Sequence, residues 1–399
     1  YLVMGAVHAL ATGMIYSFVA IYYVQNVAMN PLQLVLVGTV LELAVVIFEI
    51  PTGILADVYS RRWSVILGYA LIGVCFVLEG FIPIFGLILV AEVIRAIGET
   101  LISGALDAWL ADEIGPNNLG QAYLRSTQIR YGTRFIGIIL GTALALIALP
   151  IPIVTGGFLL IALSGSLIFV MTETKFEPVY KDVQPLRAMR LTFSNGRNAV
   201  SATPILGMFL LVALFSGSFS EGFDRLWEAH LLTNIQLPSL GRLEPVAWFG
   251  LIHMGNVLFG ITLVEFVRRH LNLNSQRTMA LTLIGVSSFI IIGAVTFGVT
   301  RNIGIALLAF WLVSVMRGIL QPVFATWLNQ SIDAKARATV LSMVSQSDAL
   351  GQVVGGPAIG WLATVRSLRV AITVSAFLLV PALPLYLREL LTPTTSNKS

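Results

Sequence analysis

Apolar residues in this chain run in blocks of about twenty, long enough to cross a bilayer, separated by short polar breaks. The blocks lack the two-residue alternation of a barrel strand. A backbone in lipid must satisfy its own hydrogen bonds, so each block is predicted to be a helix. The pattern gives twelve of them: 2–25, 33–57, 63–83, 86–112, 120–148, 152–172, 203–231, 246–267, 277–299, 303–329, 337–363 and 368–388.

The connections alternate in kind. "NVAMNP", "IPIF" and "LPIP" are short and uncharged, whereas the other set holds "SRR", "EIGPNNLGQAYLR", "RRHLNLNSQR", "DAKAR" and a linker with Lys175, Lys181, Arg187, Arg190 and Arg197. Positive charge gathers in cytoplasmic loops, so that set and both termini are placed inside a plasma (inner) membrane. Arg242, Arg301, Arg366 and Arg369, on the other side, are exceptions the rule tolerates. Tyr1 already lies within a hydrophobic run, so a leader is expected upstream.

The linker, 173–202, separates two sets of six helices, 1–172 and 203–390, with 391–399 as a cytoplasmic tail. The halves resemble each other. "GILADVYSRR" lies on "GITLVEFVRR", matching Gly53 with Gly260 and Arg61-Arg62 with Arg268-Arg269. A second offset lays Trp109-Leu110 on Trp327-Leu328, Gln128 on Gln346 and Gly137 on Gly355 without a gap. These matches predict an all-α membrane protein of two pseudo-symmetric six-helix bundles, an architecture that places substrate sites at the midplane.

Composition agrees: 57% of residues are hydrophobic, 11% are charged and the mean hydropathy is +0.87. A soluble domain carries roughly 25% charge. Membrane orientation, rather than nucleic-acid binding, accounts for the net charge of +4. The single cysteine, Cys75, excludes an internal disulfide and reads as packing.

"GILADVYSRR" is similar to the loop signature of the major facilitator superfamily, Gly-x-Leu-Ala-Asp-x-x-Gly-Arg-(Arg/Lys), between the second and third helices, with Ser60 at its second glycine. Helix count, linker and repeat extend the resemblance over the whole chain. "SGALDAWLADEIG" and "SEGFDRLWEAHLL" resemble, more weakly, the tetracycline- and macrolide-efflux-like branch of the drug:proton antiporters. Two features depart from it. Gly98 follows Arg95 one residue early, and the fifth helix has Gly137 and Gly141 without the antiporter proline, whereas "GGPAIG" sits on the eleventh. The resemblance implies a gate of Gly53, Asp57, Arg61, Arg62 and Asp112 that closes the cytoplasmic side.

Asp57 and Arg61, one turn apart, are placed to pair locally, with Asp112 as a third member. Charges inside the bilayer cost about 2.5–3.5 kcal/mol each on insertion scales, so they face a cavity or a partner. Span midpoints put Glu99, Arg134, Arg317 and Asp348 near the midplane and Arg95, Arg130 and Glu221 about a turn away. The second repeat offset aligns Glu99 with Arg317 and Arg130 with Asp348, opposite charges at equivalent places.

Stripes at helical spacing run through Glu92, Arg95, Glu99, Ser103 and Asp107, through Gly217, Glu221, Asp224 or Arg225 and Glu228, and through His8, Thr12 and Tyr16. Each has a plainer structural reading: Arg95 with Glu99 and Glu221 with Arg225 as intrahelical pairs, Arg130 and Arg134 as snorkelling cations, and His8 as packing. Asp348 has only Ser345 and Gln352 as near polar neighbours in its own helix.

The expected function is secondary active transport of a small amphipathic or drug-like molecule by alternating access, as proton-coupled efflux. Transport of a small organic anion, suited to the arginines, and lysolipid handling are the alternatives. A monomer in the lipid bilayer, with small-molecule substrate and protons as partners and no cofactor or metal, is expected. An enzyme is disfavoured: His8, His230, His253 and His270 are dispersed with no metal-binding spacing, and no nucleophile or phosphate-loop motif occurs.

Overall fold

A computed structural model describes residues 1–176, 204–238, 246–270, 275–332 and 337–391. Most of the linker, with Lys181, Arg187, Arg190 and Arg197, lies outside the described residues, as do Arg242, most of "DAKAR" and the tail from 392; of Arg268 and Arg269 only the backbone is described.

The described chain is helical, with no strand among the described residues. The first half holds α1 (Leu2–Tyr16), α2 (Val19–Gln25), α3 (Pro31–Val58), α4 (Arg61–Phe81), α5 (Phe85–Ile114), α6 (Pro116–Ala145) and α7 (Pro150–Val170). After the linker come α8 (Pro204–Asn234), α9 (Val246–His270), α10 (Gln276–Val299), α11 (Ile303–Gln330), α12 (Arg337–Val365), α13 (Leu368–Leu378) and α14 (Ala382–Leu391). These fill the twelve predicted spans, because α1 with α2 make the first and α13 with α14 the last.

Both broken spans have a local cause. At the first, the Ser17 hydroxyl bonds back to the Gly13 carbonyl at 2.8 Å and Phe18 leaves the helical region (φ −135°, ψ −13°). At the last, Pro381 has no N–H to give, and the chain crosses the gap on i→i+3 bonds such as Ala382 N–H to the Leu379 carbonyl at 3.1 Å. Helix starts are capped by side chains. Asn30 and Gln33 form a capping box ahead of Pro31, and Ser60, Ser275, Asn302 and Ser367 cap α4, α10, α11 and α13. Gly115 joins α5 to α6 at φ +75°, a conformation that favours glycine.

Among the described residues, eight spans are long and apolar enough to cross a membrane by length and composition alone. Of the remaining four, α5, α6 and α12 carry Glu99, Arg134 and Asp348, while the described side chains of α9 form a shorter apolar stretch, Val246–Gly260. Exposed apolar side chains such as Ile47, Phe158 and Phe169 give the lipid-facing surface.

The chain divides into two compact units, Tyr1–Met189 with Leu237–Val257, and Arg190–Gln236 with Leu258–Ser399, so the division within α9 falls at Val257. The same pairs pack in each. In the first unit α1 packs on α6 and α7, and α4 on α5 and α7; in the second, α8 packs on α12 and α13, and α10 on α11 and α13. Span for span these are first on fifth and sixth, and third on fourth and sixth. A methyl at Gly137 of α6 would collide with the Leu10 carbonyl of α1, and one at Gly351 of α12 with the Leu214 carbonyl of α8. Absent side chains thus let the first and fifth spans of each half touch backbone to backbone.

Candidate functional site

Among the described residues, three clusters of charged side chains stand out, two in the first unit and one in the second. The first lies at the α3–α4 junction. Ser60 caps α4 and fixes the chain direction, so Arg61 lies over the last turn of α3. Its guanidinium bonds Asp57 Oδ1 at 3.2 and 3.3 Å and pairs with Asp112 near the end of α5, while the arginine itself is buried. Two acids and one base from three helices meet there.

Arg62 stays out of that group. Its backbone N–H and the Ser60 hydroxyl donate to Glu173 at 3.0 and 2.6 Å, and its guanidinium reaches the Ile168 carbonyl at 2.5 Å. Gly53 is exposed, with open space where a Cβ would stand, so no close approach there requires glycine. Glu113 binds the chain after α7: it accepts from the Thr174 N–H at 2.7 Å, the Thr174 hydroxyl at 2.9 Å and the Lys175 N–H at 3.4 Å. These donors, led by the Thr174 amide, hold its carboxyl below the usual glutamate value. Sequence reading passed over Glu113 and Glu173; the only signal was "TETK" directly after a hydrophobic block.

The second cluster is buried between α1, α2, α4 and α5. Arg95 grips Glu92 at 2.5 and 2.7 Å and donates to the Tyr16 hydroxyl at 2.8 Å, while Glu99, half-buried, stands 3.9 Å away. The chief partner of Arg95 is therefore Glu92, three residues back, rather than Glu99, because the side chain points toward the N-terminus of its helix. Tyr16 and Phe76 also lie against the guanidinium. Close by, Glu79 of α4 is fully buried and accepts from the Tyr23 hydroxyl at 2.7 Å and the Cys75 thiol at 3.2 Å. Sequence reading missed Glu79, although a glutamate inside an apolar block was itself the signal.

Arg130 and Arg134 are exposed along α6, with the Arg130 stem against Gly5 of α1. His8 packs on the Tyr69 ring at 5.6 Å, its Nδ1 buried without a hydrogen-bond partner. In α5 the helix breaks its dihedrals at Ser103 (φ −43°, ψ −130°), one turn beyond Glu99.

The third cluster opens onto a cavity of about 180 Å³ in the second unit, lined among others by Phe219, Asp224, Arg317, Gln321, Asp348 and Gln352. A neighbouring cavity of about 220 Å³ shares Asp348 and Gln321 with it and is also lined by Phe324. Arg317 of α11 holds Asp224 of α8 through both carboxylate oxygens, and its guanidinium also lies over the Phe219 ring. Asp348 of α12 accepts from Gln352 at 2.9 Å. Glu221 is buried and pairs with Arg225 at 3.1 Å within α8, so Asp224, not Arg225, turns toward the cavity. The cavity wall carries one carboxylate more than guanidinium.

Two six-span halves with the same internal packing, bearing ionisable groups inside apolar helices, define a polytopic membrane transporter and not an enzyme. The chain belongs to the Major Facilitator Superfamily, whose family model matches residues 1–263. It is 24% identical over 386 residues to the uncharacterized MFS-type transporter YxaM of Bacillus subtilis (strain 168), covering 94% of this chain and 92% of that one. Among solved structures it is similar to a mutant of the nucleoside transporter NupG (TM-score 0.75, 10% identity, 97% of this chain and 98% of that chain). A bacterial homolog to the human lysosomal transporter Spinster, inward-facing and unoccupied, matches at a TM-score of 0.72 and 15% identity, over 96% of this chain and 94% of that chain. At those identities the likeness is one of fold.

Proposed function

We propose that this transporter works by alternating access of its two halves, 1–172 and 203–390, joined by a cytoplasmic linker, as a monomer in the inner membrane with both termini cytoplasmic. It exports a small amphipathic, drug-like molecule in exchange for protons. The observation that carries this reading is the second-unit cavity. Arg317 is committed to Asp224, which leaves Asp348 bonded to a neutral amide and available to a cation or a proton. Competition of the two for one carboxylate is the elementary form of exchange, since each state of the carrier leaves with one or the other. The surplus of negative charge favours a cation over the organic anion, and Phe324 offers it an aromatic ring.

In this reading Glu99, Arg95, Arg130, Arg134, Tyr16 and His8 in the first unit and Glu221 and Arg225 in the second bound the path. Asp57, Arg61 and Asp112, with Arg62 beside them, latch the cytoplasmic end. The test is thermal stability of the purified chain with tetraphenylphosphonium, with small organic anions and with lysolipid, at acidic and at alkaline pH. A ligand of the folded state raises stability by mass action. The cation is expected to stabilise more at alkaline pH, and Asp348→Asn is expected to abolish the effect. Stabilisation by anions or lysolipid with none by the cation overturns the assignment.

A further inference from the structure

Glu79 belongs to neither the gate nor the cavity, and its surroundings are built for a proton. It sits in the last turns of α4, at the far end from Arg61, with no exposed surface. Each of its oxygens has a neutral donor: Tyr23 on Oε2 at 2.7 Å and Cys75 on Oε1 at 3.2 Å. The titratable and charged groups facing it are Tyr22 and Tyr23 from α2, Cys75 from its own helix, and Glu92 and Arg95 from α5. From α7, Val154 and the Pro150 carbonyl stand beside Gly80, the next residue. The one cation in the group, Arg95, is bonded to Glu92 at 2.5 and 2.7 Å and to Tyr16. Two acids thus share one base, and the base is taken.

A second buried negative charge without a bonded cation is expensive in a water-excluded interior, and a proton removes that cost. We propose that Glu79 is a proton-binding site of the first unit, whose state is read by the Tyr23 hydroxyl and the Cys75 thiol. When the site is empty, both donate to the carboxylate, and the Tyr23 bond is charge-assisted and strong. When a proton binds, it resides on Oε2, which then donates to the Tyr23 oxygen, and the charge assistance is lost. Tyr23 and Cys75 keep their own protons throughout.

The consequence reaches the broken first span. Tyr23, and Tyr22 through its 2.7 Å bond to the Glu79 carbonyl, are the polar ties of α2 to α4, whereas Tyr16, at the end of α1, is tied to Arg95. The Ser17–Phe18 break separates the two anchors. Proton binding at Glu79 therefore loosens α2 and leaves α1 held. That this serves coupling rests on the transporter reading above; the proton site itself does not.

The test is infrared spectroscopy of the whole chain in liposomes, titrated with pH and without substrate. One cysteine in the chain means one S–H stretch, in a region free of other protein bands. The S–H band is expected to shift with the same midpoint at which a carboxylic-acid C=O band disappears as the pH rises. Glu79→Gln should remove both changes. Tyr23→Phe, which takes a donor from the ionised form, should move the midpoint to higher pH. Cys75→Ala should delete the S–H band and keep a C=O titration, its midpoint moved to higher pH by less than in Tyr23→Phe because a weaker donor is lost. An S–H band that stays fixed through the titration of the native chain overturns the proposal, as does an unchanged midpoint in Tyr23→Phe; both readouts survive a Glu79→Gln chain that fails to fold. Failure of tetraphenylphosphonium to stabilise the protein, with the S–H titration intact, would remove the cavity assignment alone.

Discussion

Arg317 and Asp224 stand 93 positions apart, on α11 and α8, and meet through two parallel hydrogen bonds of 2.5 and 2.8 Å. Planar guanidinium and planar carboxylate match only in this fork, so a lysine at 317 cannot reproduce it. Both side chains are a third or more exposed, 34% and 44%, and screening trims the value of the pair. A double-mutant cycle of Arg317→Ala and Asp224→Ala, read by thermal unfolding, should give a coupling of about 1 kcal/mol. Arg317→Lys should lose most of it.

Burial makes the Glu92–Arg95 pair a different case. Its side chains are 2% and 4% exposed, and removing one partner strands a charge. Glu92→Gln is expected to cost about 3–5 kcal/mol, whereas the double replacement Glu92→Met with Arg95→Met should recover most of that loss. Chaotrope unfolding of the solubilised protein measures both. A double variant as unstable as the single one would mean that the bonds of Arg95 to Tyr16 and Glu99 matter more than the pair.

The backbone contacts at Gly137 and Gly351 leave no room for a side chain. Gly137→Leu and Gly351→Leu should each separate two helices and lower the yield of monodisperse protein in size-exclusion chromatography. Gly53→Ala, in open space on an exposed turn of α3, should stay within about 0.5 kcal/mol of the parent.

Glu113 predicts a local pH effect. Its folded-state value lies below the ordinary 4.5, so its tether to Thr174 and Lys175 is present above that pH and is lost as the pH falls through the folded value. Hydrogen exchange at the Thr174 amide, corrected for the intrinsic rate, should accelerate over that fall. In Glu113→Gln the acceleration should disappear, and an identical pH profile in both proteins would detach the amide from the carboxylate.

Which parts of this were readable along the chain follows from what each depends on. The predicted span 277–299 and α10 (Gln276–Val299) coincide within a residue, because lipid forces every backbone group to be satisfied inside its own helix. The break at Ser17–Phe18 went unread, since nothing in "GMIYSFVA" interrupts the apolar run. Asp57 and Arg61 pair from spacing, being neighbours on consecutive turns, and Asp112, the third member expected from the sequence, reaches Arg61 from α5. Arg62, next in sequence, points elsewhere because successive residues of a helix leave it about 100° apart.

The sequence by itself determined the twelve spans, the duplicated halves and the supply of charges within them, all of which arise from local hydrophobicity and helical period. Only the tertiary structure decided partnership between helices: Asp224 with Arg317, Arg95 with Tyr16, Glu173 with Ser60, Glu79 with Tyr23. The reason is range. A hydrogen bond forms within about 3 Å, and which side chains of different helices come that close is set by how the helices pack, through contacts such as Gly137 on Leu10 that no single segment encodes.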